Sequence, residues 1–275
     1  MRRGPTQQRG APQQRATSLL RGTDILIALG SDEALERDGL GVVRIAELIG
    51  TEKSQASRAL SALAATGLVD RDPDTRAYRL GWRLFTLAAR SGRPRLVAHA
   101  PTVLRGLVAA TGETAHLSVL QGAQVLTLLS ETPSSAISAR GWSGRTVPVV
   151  CTSSGRALLF DHDRAALDAL LSPADFEGYG PAAPGDLDEL ARRIAAARER
   201  GFASVDGEFE PGLVGLAAPV CDGSRRIVAA INISGPKFRL GRALPAAARA
   251  LRLAADQLGA AAFGAPPVQP VKAAG

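Results

Sequence analysis

The sequence predicts an α+β chain of two domains: a small winged helix-turn-helix first, then an antiparallel sheet with flanking helices. Three observations carry that prediction. A length of 275 residues is ample for two domains of ordinary size. Two short helical segments joined by a turn, followed by a Pro/Asp hairpin, fill the stretch before residue 80. Beyond residue 95, strand and helix candidates follow one another without the regular alternation of a doubly wound parallel sheet.

Charge divides the chain at the same place. Residues 1–95 hold 16 Lys and Arg against 10 Asp and Glu, whereas residues 96–275 hold 17 against 16. Nearly all of the net +7 therefore sits in the first third, as expected when one domain meets a polyanion and the other does not. Hydrophobic residues make up 45% of the chain, enough for real cores. No apolar run approaches the ~18 residues of a membrane span. Met1 to Thr17 lacks the apolar stretch of a secretory signal, which predicts a cytoplasmic protein. Cys151 and Cys221 lie too far apart for any zinc spacing and read as small buried hydrophobes, so neither a metal nor another cofactor is expected.

Residues 1–17 carry Arg2, Arg3, Arg9 and Arg15 with no acid and almost nothing to bury, and they read as a disordered basic arm. The first domain spans residues 18–80. Leu19, Ile25, Leu26 and Leu29 follow helical spacing, and the polar, Gly-bounded stretch 31–41 reads as a loop. A short helix over about residues 43–49, bearing Arg44, leads through Gly50-Thr51 into a second helix over about residues 54–66 that stops at Gly67.

On that second helix Ala56, Ala59, Leu60 and Leu63 share one face, and Ser54, Ser57, Arg58 and Ser61 share the other. Lys53 and Gln55 stand at its N-terminal end. Short hydroxyls let a helix lie deep in the major groove, where Arg and Gln side chains pair with guanine and adenine edges. The hairpin adds Arg71, Arg76 and Arg79, placed to grip phosphate or the minor groove. Asp70, Asp72 and Asp74 oppose that charge, which favours Arg71 and Arg76 over Arg79. The expected partner of this domain is double-stranded DNA.

Residues 81–95 read as a linker helix whose apolar set, Trp82, Leu84, Phe85 and Leu87, exceeds what a small winged domain can bury, so these four are the candidates for self-association. The second domain spans residues 96–264. It opens with a helix over about residues 97–110 and strands at 114–120 and 124–130, joined by Gln121-Gly122-Ala123. Helical stretches follow at 155–160, 164–171 and 187–201, then strands at 215–221 and 226–234 and a helix over 243–262. The Ala/Pro-rich tail, 265–275, reads as disordered.

Several motifs, in order, resemble the IclR family of transcriptional regulators. Ser57-Arg58-Ala59-Leu60, Gly67-Leu68-Val69 and Tyr78-Arg79-Leu80-Gly81 resemble its N-terminal half. Gly112-Glu113-Thr114-Ala115-His116-Leu117, Gly144-Arg145-Thr146-Val147-Pro148, Thr152 to Leu159, Arg200 to Ala203 and Ala229 to Pro236 resemble its C-terminal half. The resemblance covers about residues 18–263. It implies a GAF-like second domain that binds a small-molecule effector, such as an organic acid, and shares in forming a homodimer or homotetramer. Candidate effector contacts are Ala139, Val147, Ser153, Ser154, Asp206, Leu213, Gly215, Asn232 and Ser234. Asn232 and Ser234 alternate with Ile231 and Ile233 and so share one strand face, while Ser153 and Ser154 open a helix. The chain departs from the family's habit of Cys at the place of Gly215, Ser at that of Asn232 and an acid at that of Val205, which points to a pocket of altered size and polarity.

The alternative reading is an enzyme with Ser153 or Cys151 as nucleophile and His162 with Asp161 or Asp163 nearby. No Gly-x-Ser-x-Gly elbow surrounds Ser153, and His99, His116 and His162 are scattered. The reading favoured is a DNA-binding regulator, more a repressor than an activator.

Overall fold

The computed structural model describes residues 11–90, 94–133 and 142–264, and only the backbone of 11–17. The chain divides into two compact units, Met1–Gly92 and Arg93–Gly275. Among the described residues, no helix is long and apolar enough to cross a membrane.

The first unit holds helices α1 (Ala11–Leu29), α2 (Asp32–Glu36), α3 (Val42–Leu48) and α4 (Lys53–Ala65), the two-stranded hairpin β1 (Val69–Arg71) and β2 (Tyr78–Leu80), and α5 (Trp82–Ala89). Its core is one cluster built from every part of the motif: Ile25 and Leu29, Ala34, Leu40, Ile45, Leu60, Val69 and Tyr78. The hairpin is antiparallel, with Val69 facing Leu80 and Arg71 facing Tyr78. An isolated antiparallel bridge from Leu40 to Tyr78 ties the segment before α3 to it.

Two expectations change here. The helix α1 begins at Ala11, so residues 11–17 are helical rather than part of the arm, while 1–10 and 265–275 lie outside the described residues. The stretch 31–41 contains α2 rather than loop alone. Ser31 caps α2 by accepting from the Ala34 N–H at 3.3 Å, and Asp32 and Glu33 in its first turn complement the helix dipole.

The second unit is one six-stranded antiparallel sheet in the order β5-β4-β3-β8-β7-β6. Its strands are β3 (Thr114–Gln121), β4 (Gln124–Glu131), β5 (Thr146–Pro148), β6 (Ala203–Asp206), β7 (Leu213–Cys221) and β8 (Ile227–Pro236). The edge strands β5 and β6 are only three and four residues long, too short to stand out in a sequence reading. Helices α6 (Pro94–Thr111) and α11 (Leu244–Phe263) cover one face, packing Leu96, Leu104, Leu251 and Leu258 on Leu117, Leu216 and Ile231. The other face meets α7 (Ser153–Leu158) and α9 (Leu187–Arg200), where Leu158, Leu190 and Ile194 pack near Ala217 and Ala230. Helices α8 (Arg164–Leu170) and α10 (Lys237–Leu240) complete the unit. Alternation along β8 sends Ile231 and Ile233 to the first face and Asn232 and Ser234 to the second.

Leu60 is fully buried and ties the second helix of the helix-turn-helix to the rest of its unit. Leu60→Ala should cost the unit about 2–5 kcal/mol, read by denaturant unfolding followed through far-UV circular dichroism. A loss below ~1 kcal/mol would mean that α4 is held by something other than this core.

Candidate functional site

Two places gather the chemistry. The first is the outer face of α4. Ser54, Ser57, Arg58 and Ser61 are exposed there, opposite buried Ala56 and Leu60, as the helical spacing predicts. Ser61 turns its hydroxyl back onto the Ser57 carbonyl at 2.9 Å, and the Thr51 hydroxyl donates to the Gln55 side-chain oxygen at 3.2 Å. Gln55 and Arg58 border a depression shared with Ser18, Arg21 and Thr23 of α1.

The candidate cations separate into two groups. Lys53, Arg58, Arg71 and Arg76 make no ion pair among the described residues. Arg76 is exposed just after the hairpin turn, with φ of 59°, and the Arg71 guanidinium lies 5.4 Å from the centre of the Tyr78 ring. Arg44 is instead clamped by Glu33 at 2.9 Å and Glu47 at 3.1 Å. Arg79 is held by Asp38 at 2.5 Å, with Asp72 at 3.5 Å. Asp72 itself shapes the turn. Its Oδ1 accepts from the backbone of Thr75 and Asp74, and those hydrogen bonds hold its carboxyl below the usual range.

The second place is a cavity of about 80 Å³ on the α7 face of the sheet. Val147, Ser153, Ser154, Leu213, Gly215, Asn232 and Ser234 line it, as the sequence reading anticipates. Two candidates do not join them. Ala139 lies outside the described residues. Asp206 points away: on β6 it is Val205 that turns inward, and Asp206 pairs with Lys237 at 2.6 Å on the exposed side. The sequence reading missed His116, Ser118, Thr127, Trp142, Thr152 and Phe209. His116 stands directly across from Asn232 in the β3–β8 register, a pairing of residues more than a hundred positions apart.

Local sequence explains how the cavity wall is built. Thr152, not Ser153 or Ser154, caps α7. Its Oγ1 accepts from the Gly155 N–H at 3.2 Å and donates to the Pro148 carbonyl at 2.7 Å. Ser153 and Ser154 are therefore free to face the cavity as the first two helical residues. Gly155 is required: a Cβ there would lie 2.2 Å from the Val149 carbonyl oxygen. Gly215 gives room in the same way, since a Cβ would lie 2.9 Å from the Ser153 hydroxyl. Arg156 then pins the helix through Glu208, in a side-chain pair of which both partners are buried, and through the Ser204 carbonyl at 3.2 Å. Burial pushes the Glu208 carboxyl up, against the pull of Arg156 and of Arg193 at 3.1 Å.

The electrostatics of the lining are mild. Among the described lining residues none is Arg, Lys, Asp or Glu. His116 bonds to the Ser130 hydroxyl at 2.8 Å and lies 3.4 Å from that of Ser234, and burial alone lowers its pKa to about 4. The ring is neutral at pH 7 and offers one donor and one acceptor. Trp142 meets both the His116 and Phe209 rings edge-on at 6.4 Å, which makes one wall aromatic. The enzyme constellation does not assemble. Cys151 is buried and its thiol pushed up to about 12 by desolvation, while His162 bonds to Asp161 and does not line the cavity.

The four apolar residues after the wing lie on α5. Trp82 is 80% exposed and Phe85 69%, Leu87 is exposed and Leu84 half-buried. Trp82 and Phe85 meet edge-to-face at 6.4 Å.

The bacterial transcriptional regulator IclR C-terminal family matches residues 91–260, and the IclR helix-turn-helix domain matches residues 18–73. The chain belongs to the IclR family. An IclR-type chain is a DNA-binding transcriptional regulator, and its relatives are regulators rather than enzymes. The Escherichia coli regulator XynR is 29% identical over 76% of this chain and 82% of its own length. BhcR of Paracoccus denitrificans is 32% identical over 74% of each. Among solved structures, an IclR homologue from Microbacterium hydrocarbonoxydans complexed with 4-hydroxybenzoate matches with a TM-score of 0.69. It is 25% identical and covers 89% of this chain and 98% of its own. The IclR-type regulator of Alicyclobacillus acidocaldarius matches with a TM-score of 0.67 at 27% identity, over 90% and 98%.

The buried imidazole gives a pH signature. Between about pH 6.5 and 4 the unfolded chain binds a proton at His116 that the folded domain refuses, so stability should fall as pH is lowered through that window. His116→Gln should flatten that part of the stability–pH curve, and an NMR titration should place the ring's midpoint near pH 4. A midpoint near 6.5 would mean that water reaches the ring freely.

Proposed function

We propose that this regulator is a homodimer, or a dimer of dimers, that acts in the cytoplasm, more as a repressor than an activator. Its operator affinity changes when a small organic acid or related metabolite enters the cavity beside Ser153, Ser154, Asn232 and Ser234. The observation that carries the reading is the convergence of Ser153, Ser154, Asn232 and His116, from three separate elements, on one partly aromatic cavity. Ligand pockets have this make-up: mostly apolar walls with a few placed polar groups. A solved relative holds 4-hydroxybenzoate, and other relatives carry the name transcriptional repressor.

On the DNA side, Arg58 with Ser54, Ser57 and Ser61 reads base edges from α4, Lys53 and Gln55 support its N-terminal end, and Arg71 and Arg76 grip the backbone from the wing. Arg44 and Arg79 are structural ion-pair partners in this reading, since their carboxylates already hold them. Arg2, Arg3 and Arg9 add phosphate contacts without reading sequence. Two recognition helices must meet half-sites roughly 34–36 Å apart. The exposed Trp82, Phe85 and Leu87, with Leu84, supply the apolar surface through which two copies set that distance. A metabolite alters DNA affinity only by binding one arrangement of the copies better than another.

Arg58→Ala should weaken operator binding by about 1–3 kcal/mol and relax base preference while the solution mass stays unchanged, as read by titration against operator and random DNA. Equal operator affinity in parent and variant would remove α4 from base reading. Trp82→Ala should lower both solution mass and operator affinity; an unchanged mass with full affinity would make α5 a passive connector. For the sensor, the chain is melted against a metabolite panel beginning with 4-hydroxybenzoate. Asn232→Ala and Ser154→Ala should abolish the stabilisation by any hit and its effect on DNA binding, yet leave ligand-free DNA affinity intact. A normal response in both variants would move the effector site elsewhere.

A further inference from the structure

On the opposite face of the sheet from the effector cavity lies a groove of about 400 Å³. Leu216 lines it, whereas its neighbour Gly215 lines the cavity, so β7 alone separates the two. Phe202, Leu216, Leu244, Pro245 and Ala248 supply apolar lining, and Leu216 and Ala248 are buried. The polar side is made by Arg200, Arg249 and Arg252.

Among the described arginines of this unit, Arg105, Arg156, Arg164, Arg193, Arg226 and Arg239 pair with carboxylates, whereas Arg95, Arg145, Arg192, Arg198, Arg225 and Arg242 do not. Arg200, Arg249 and Arg252 make no ion pair among the described residues, and no Asp or Glu lines the groove. Pro245, Ala248, Arg249 and Arg252 recur at three- and four-residue spacing and so present one face of α11 to it. The other two walls hold the guanidinium groups in place. Arg200 lies over the Phe202 ring, 5.7 Å from its centre. Arg252 packs against the Gly201 turn, where a Cβ would lie 3.4 Å from its Nε, and there it also meets the C-terminal end of α9. Three like charges beside an apolar floor repel one another until an anion joins them, and a floor that accepts hydrocarbon selects which anion.

We propose that this groove is a second ligand site, distinct from the effector cavity, for a small amphiphilic anion: a short hydrocarbon chain or ring that ends in a carboxylate. The tail lies on Phe202, Leu244 and Pro245, and the carboxylate is shared by Arg200, Arg249 and Arg252. The groove's volume falls within the usual range of small-molecule sites, roughly 300–1,000 Å³.

Isothermal titration of the full chain with octanoate tests the site, with acetate as head without tail and 1-octanol as tail without head. Octanoate should bind at least tenfold more tightly than either. Arg249→Gln/Arg252→Gln and Arg200→Gln should each weaken octanoate at least tenfold with unchanged circular dichroism melts, and Arg249→Lys/Arg252→Lys should recover most of the loss. No heat with octanoate, or equal affinity in the arginine variants, overturns the proposal. So does loss of binding in Asn232→Ala with the arginine variants unaffected, because octanoate would then sit in the effector cavity.

Discussion

The second domain depends on one buried ion pair. Arg156 and Glu208 are both almost completely enclosed, and each is costly to bury without the other. Together they join α7 to the loop after β6, and Arg193 brings in α9 from the far side. The Nε of Arg156 finds no hydrogen-bond partner among the described residues, so the pair is held by geometry rather than by a fully satisfied network. A six-residue helix would not persist alone in water. Pinned at Arg156, capped by Thr152 and pressed onto Val149 at Gly155, α7 becomes a rigid cavity wall.

The rest of the domain follows from the sheet's two faces. Strand alternation gives the α6/α11 side the large aliphatic residues and leaves the α7 side with His116, Ser118, Asn232 and Ser234. A polar patch on a buried sheet face needs partners, and the hydroxyls and the imidazole supply only some of them to each other. What remains is a small space with unused hydrogen-bonding capacity, which is the physical description of a ligand site. In the first unit the same division operates on a helix: Leu60 and Ala56 commit one side of α4 to the core, and the opposite side carries short hydroxyls and Arg58.

How much of this was legible depended on how far each signal reached along the chain. The two faces of α4 and the shared face of Asn232 and Ser234 are periodicities of a few residues, and both were readable. His116 was not, because its place in the cavity is set by the β3–β8 register, which links it to Asn232 across a long intervening segment. Asp206 is misplaced by the sequence reading although Ala203-Ser204-Val205-Asp206 alternates apolar and polar: the strand is only four residues long, and its alternation puts Ala203 and Val205 inward and Asp206 outward. Arg44 and Arg79 looked available for DNA because Glu33 and Asp38, the acids that hold them, lie in a stretch read as loop. Ser31 followed by Asp32 and Glu33 was the missed signal there, a cap with two acids in the first turn.

Amide hydrogen exchange of the unliganded chain reports whether α7 is rigid without any ligand. If the Arg156–Glu208 pair pins the helix, the amides of Arg156, Ala157 and Leu158 should exchange in the slowest class, together with those of β7 and β8. Glu208→Gln should move them into the fast class while α6 and α11 stay protected. Fast exchange of α7 in the parent chain, at the rate of the exposed turns, would mean that the ion pair does not pin the helix and that the cavity wall forms only when a ligand arrives.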